Sequence, residues 1–159
     1  MATIHRLITP AGLIARACTW SLIAKGQKLY FIHTGSAATA SHLLGVLEDV
    51  ALHPETPITS TFSRYAKVAQ AMQLAYLPAI QKIEQRIEAG DLENLLQTNK
   101  KSFVCALGDL NTLELKKSGP FAEALLFKAG GRKFKFMFHQ TRHEEVTKFF
   151  ATLGSILHS

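Results

Sequence analysis

A chain of 159 residues with 47% hydrophobic and 19% charged residues has the make-up of one folded domain, 1–159, which excludes a disordered or fibrous polypeptide. No stretch reaches the roughly 18 apolar residues of a membrane-spanning helix, and the two cysteines, Cys18 and Cys105, lack the spacing of a zinc site and read as space-filling thiols of a reducing cytoplasm. The formal net charge of +6 directs expectation toward anionic partners.

Leu13 to Ala24 and Gln27 to Thr34 read as two strands joined at Lys25-Gly26. The first also has the length of a signal-peptide core, but Arg16 interrupts it and Pro10 and Gly12 precede it, so a cytoplasmic location is expected. Lys28-Leu29-Tyr30-Phe31-Ile32 carries the aromatic and branched residues that suit a pleated surface. From Ala37 to Ala51 the chain turns Ala- and Leu-rich, and a helix capped by Ser36 is predicted, ended by His53-Pro54. A longer helix is predicted from Ser60 or Thr61, with Phe62, Tyr65, Ala69, Met72 and Tyr76 on one face. Pro78 should kink or divide it. Ile80, Ile83 and Ile87 then form a stripe, with Lys82, Glu84, Gln85, Arg86 and Glu88 around the outside. A short turn of helix through Leu92, Leu95 and Leu96 precedes Asn99.

The last third returns to strands. Ser102 to Leu107 and Leu110 to Lys117 are separated by Gly108-Asp109; Glu123 to Ala129 and Lys133 to His139 meet at Gly130-Gly131. In the last of these, Phe134, Phe136 and Phe138 alternate with Lys133 and Lys135, which predicts phenyl rings on a core and amines in solvent. Val146, Phe149, Phe150, Leu153, Ile156 and Leu157 define a closing amphipathic helix, with Thr141 as its cap and Glu144 at the third position. Strands in hairpin order imply an antiparallel sheet and an α+β fold.

The Lys133–Phe136 hairpin followed by a helix carrying Val146, Phe149, Phe150 and Leu153 resembles the second half of a pleckstrin-homology-like (PH-like) barrel. The run Lys28-Leu29-Tyr30-Phe31-Ile32 is similar to a strand of bacterial PH-like and GRAM-type domains. The resemblance covers residues 13–34 and 101–157, about half the chain. It implies an antiparallel sheet, or partly open barrel, closed by the C-terminal helix, with 35–99 as a helical insertion between the second and third strands. The turn Lys25-Gly26-Gln27-Lys28 is too short and too weakly charged to match the basic loop of lipid-binding members. The resemblance therefore carries over the fold and none of the family's binding residues.

Catalytic patterns are not found. Seven histidines are scattered with no H-E-x-x-H; His139 and His143 are four apart, but one closes a strand and the other opens a helix. No serine stands in Gly-x-Ser-x-Gly, and Cys105 lies between Val104 and Ala106, as a buried inert thiol would. Glu84 and Glu88, flanked by Lys82 and Arg86, read as a solvated face. No catalytic residue, metal ligand or cofactor is assigned, and the chain leans away from being an enzyme. Base-stacking sheets place aromatic and basic groups on one face; alternation separates them here, which tells against nucleic acid.

The positive charge concentrates in the last strands. Lys116, Lys117, Lys128, Arg132, Lys133 and Lys135 are the candidate binding residues, on a basic outer face. The expected function is a non-catalytic recruitment module for a protein partner or an anionic phospholipid surface. The alternative is a small-ligand-binding protein or enzyme, with a pocket between the helical insertion and the sheet lined by Tyr30 or His33. Helices 61–77 and 79–89 carry stripes that either pair with another subunit, giving a homo-oligomer, or fold onto their own sheet.

Overall fold

Among the described residues, seven strands run in the order β4-β3-β2-β1-β7-β6-β5 within one antiparallel sheet. They are β1 (Ala2–Thr9), β2 (Cys18–Lys25), β3 (Lys28–Ser36), β4 (Phe103–Ala106), β5 (Asn111–Lys117), β6 (Ala122–Ala129) and β7 (Arg132–His139). The structure, a computed structural model, describes residues 1–10, 17–36, 76–118 and 122–157. Among these the helices are α1 (76–88), α2 (Leu92–Thr98) and α3 (His143–Leu157), with short 3-10 turns at Leu107–Asp109 and Gln140–Arg142. The fold is α+β, and the sheet is not closed: β4 and β5 follow one another in the chain but stand at its two ends.

The strands depart from expectation at several places, one being β3, which runs through Ser36, the residue expected to cap a following helix. The strand expected over Leu13–Ala24 spans Cys18–Lys25, and residues 13–16 lie outside the described residues. An unforeseen strand, β1, occupies Ala2–Thr9 and joins β2 to β7. Because of it, α1 and α2 fall between the third and fourth strands instead of the second and third. The helix expected over 37–51, and all but the last two residues of the one expected over 61–77, lie outside the described residues.

The β6–β7 hairpin turns at Gly130-Gly131, both with positive φ (54° and 76°). A two-residue hairpin needs that left-handed conformation to match the strand twist, and only glycine adopts it without strain. The turn fixes the register Phe127 to Phe134 and Leu125 to Phe136. Those residues point to the concave side with Phe31, where the rings stack: Phe31 lies 4.4 Å from Phe103, at 9°, and 5.1 Å from Phe134. Phe31 and Phe136 are fully buried and Phe138 nearly so, while Lys133 and Lys135 are exposed. The alternation read from the sequence holds as far as Phe136. Beyond it Met137 and His139 are buried too, because Ile8 pairs with Met137 and, with Ala17 and Ala122, covers that end of the outer face.

Helix α3 closes the concave side, placing Val146, Phe149, Phe150 and Leu153 in the same core as Leu22, Phe31, Leu125 and Phe136. Its entry differs from the expected Thr141 cap. The chain makes a 3-10 turn first, in which the His139 ring nitrogen Nδ1 accepts from the Thr141 amide at 3.3 Å, and α3 begins at His143.

The outer face of β2 and β3 is covered as well. Ile23, Tyr30 and Ile32 pack against Ile87, Leu92 and Leu95, with Ile83 and Leu96 alongside. Ile80 is buried, and its Cγ1 approaches the backbone so closely that a Cβ on Gly35 would sit 3.1 Å away. The stripe of α1 is thus spent on the chain's own sheet, leaving little apolar surface on 79–89 for another subunit. A sheet buried on both faces explains why Lys28–Ile32 reads as a nearly continuous apolar run.

Candidate functional site

In an antiparallel ladder, directly opposed residues share a face. The registers Lys128 to Lys133 and Leu126 to Lys135 place Lys128, Lys133 and Lys135 together on the convex outer face. Glu114, opposite Leu126, and Lys116, opposite Ala124, extend that face onto β5. Lys116 Nζ lies 3.0 Å from Glu114 Oε1, so its charge is partly matched.

Lys117 and Arg132 do not join them. Lys117 opposes Glu123, and Arg132 opposes Ala129, in the rows that carry Phe138 and Phe127 on the concave side. The Arg132 guanidinium lies 5.8 Å from the centre of the Phe103 ring, a cation–π contact at the mouth of the core. The expected six-residue basic face is therefore a smaller one, because a one-residue step along a strand changes the face.

A polar cluster that the sequence did not point to lies at a bulge in β1. Ile4 opposes Leu22 and Leu7 opposes Trp20, so β1 carries one residue more than β2 between these pairs. The bulge lets Ile4 and Leu7 both face the concave core despite their odd spacing. It also holds Arg6 at φ 57°, a left-handed conformation uncommon in any residue with a side chain. Arg6 grips Glu84 of α1 with two hydrogen bonds, Nε to Oε1 at 2.9 Å and Nη2 to Oε2 at 2.8 Å. Glu84 is only 8% exposed, which corrects the solvated face expected for it. Burial works against its ionised form, but the hydrogen bonds and charge of Arg6 outweigh that and hold the carboxyl below its usual range.

Arg142 secures the other side of the bulge by donating to the carbonyls of His5 (2.7 Å) and Arg6 (3.1 Å) while paired with Glu145. His5 Nδ1 meets Ser21 Oγ at 2.7 Å. Three segments distant in the chain thus converge on one irregularity of the sheet, an arrangement that positions α1 and the start of α3.

Among the described residues, the seam between the sheet and α1 and α2, where a small-ligand pocket was expected, is packed with apolar side chains. Tyr30 is buried and donates its hydroxyl to Glu93 Oε1 at 3.3 Å. His33 lies on the opposite face, its ring edge-on to Trp20 at 5.3 Å, with the Asn99 amide on its carbonyl at 2.8 Å. Trp20 is half-buried beside the concave core and donates to Thr9 Oγ1 at 3.0 Å. His139 ends β7 and His143 begins α3, as expected, and His143 pairs with Glu123 at 2.7 Å. Cys18 is buried, with Lys101 Nζ 3.7 Å from its sulfur, and Cys105 is half-buried; burial pushes the Cys105 thiol up, with Asp109 adding to it. Among the described residues no group of three or more His, Cys, Asp or Glu is placed to hold a metal ion, and no helix is long and apolar enough to cross a membrane.

Both His5 and His33 have their pKa lowered from 6.5, in each case first by burial; Lys101 adds to this at His33, while at His5 Glu84 and Glu88 oppose it. The unfolded chain takes up these protons near pH 6.5 while the folded one resists, so the stability they contribute is full above that pH and is lost on acidification. Urea unfolding between about pH 7 and pH 5 should show falling stability, with a shallower fall in the His5→Asn/His33→Asn double variant. Equal slopes would contradict this.

No protein-family model matches the chain, and neither a curated protein nor a solved structure shows a significant match to it.

Proposed function

We propose that this chain is a non-catalytic binding module with a PH-like sheet that engages an anionic surface through Lys128, Lys133 and Lys135. The observation that carries this reading is the direct opposition of Lys128 and Lys133, with Lys135 on the same exposed face. Like charges set opposite one another across a ladder lower stability. An anionic surface laid against them relieves that repulsion. Seven antiparallel strands followed by a terminal amphipathic helix on the concave side support the PH-like part of the reading.

A lysine near an anionic bilayer contributes about 1 kcal/mol, so three give binding that is weak and sensitive to salt. Vesicle co-sedimentation should show partitioning into phosphatidylserine-containing but not neutral vesicles. Each of Lys128→Ala, Lys133→Ala and Lys135→Ala should reduce it about fivefold, whereas Lys117→Ala, on the concave side, should change it less than twofold. Binding indifferent to salt, or equal losses from Lys117 and Lys133, would defeat the reading.

A further inference from the structure

We infer that a second copy of this chain pairs antiparallel along the open edge of β5, about a two-fold axis through Leu115. Among the described residues β5 has a strand on one side only, β6, so its other edge presents unpaired backbone donors and acceptors. Leu113 and Leu115 lie along it at 53% and 38% exposure. These are the ingredients of strand addition.

The charges select the occupant. Natural sheets guard an open edge with charge of one sign, which repels any second copy of the same strand. Here Glu114 and Lys116 flank Leu115 symmetrically and share a face. Centred on Leu115, the antiparallel register sets Glu114 against Lys116 of the second copy, twice, and Leu115 against its own counterpart. Leu113 then meets the aliphatic stem of Lys117. Moving the centre to Glu114 or to Lys116 places like charges face to face, so one register is favoured and its neighbours are opposed. The contact is isologous and closes as a dimer. Because the axis stands perpendicular to the sheet, the outer lysines of both copies fall on one side. A single strand pair buries less than a standard interface, so the dimer is expected to be concentration-dependent.

Light scattering up to roughly millimolar concentration should show reversible dimerisation. Glu114→Lys alone and Lys116→Glu alone should each raise the dimer Kd about tenfold, by turning two attractive oppositions into two repulsive ones. The double variant Glu114→Lys/Lys116→Glu restores the complementarity and should return Kd to near the original. Leu115→Cys should cross-link readily on oxidation, and Leu113→Cys slowly. All four positions are exposed, so folding is checked simply by thermal melts. A monomer throughout the concentration range, a double variant no better than the singles, or cross-linking favoured at residue 113 overturns the inference. None of these readouts depends on lipid, so the dimer and the anionic-surface reading fail separately.

Discussion

Phe31→Ala should cost about 3–5 kcal/mol in urea unfolding, a large share of the roughly 5–15 kcal/mol that holds a typical domain folded. The ring is wholly buried and stacks on Phe103 and Phe134, with Phe127 and Phe136 at 5.8 and 6.4 Å. Its removal takes contact from four other rings at once, and rings held on three different strands cannot all collapse into the space left. Leu113→Ala, on the exposed edge of β5, should stay within about 0.5 kcal/mol. A loss below about 1.5 kcal/mol at Phe31, within the range of an ordinary substitution, would mean that the phenyl cluster does not hold the sheet together.

Arg6→Met should lower stability by about 2 kcal/mol at neutral pH, less than for a fully buried pair because the arginine side chain is 48% exposed. The pH dependence is the sharper readout. In the intact protein Glu84 titrates below 4.5, so its contribution is present above that pH and is lost as pH falls through the folded value. Without the guanidinium, burial dominates and the folded carboxyl titrates above 4.5. Its contribution then diminishes as pH rises, and the sign is reversed. Urea unfolding at about pH 4 and pH 7 should therefore find the variant closest to the parent in acid. A constant difference across that range would show that Arg6 supports the bulge through its backbone and not through its charge. Adding Glu84→Gln should recover part of the loss, since the buried charge is then gone.

The strands from Lys28 to Ile32 and from Phe103 onward were legible because turn residues bound each of them and their apolar residues follow the pleat. The hairpin at Gly130-Gly131 was the clearest, since two adjacent glycines suit one kind of turn. β1 was not legible. Its apolar residues Ile4, Leu7 and Ile8 stand at i, i+3 and i+4, the spacing of a helix and not of a strand, because the bulge at His5 and Arg6 resets the phase. Glu84 looked like one more exposed helical acid, since nothing local to 80–88 announces a partner 78 residues away. Of the basic candidates, residue type identified the strands that carry them. Only the cross-strand register separated Lys128, Lys133 and Lys135 from Lys117 and Arg132.

The strand at residues 2–9 lies between β2 and the strand at residues 132–139, far along the chain from it. Hairpins β2–β3 and β6–β7 need only short loops and can form early. The seam joining the two halves of the sheet, however, must close the long loop between Ile8 and Met137. Such long loop closure slows folding and leaves the flanks of β1 exposed meanwhile. The β1–β7 seam is therefore expected to close after the two hairpins have formed.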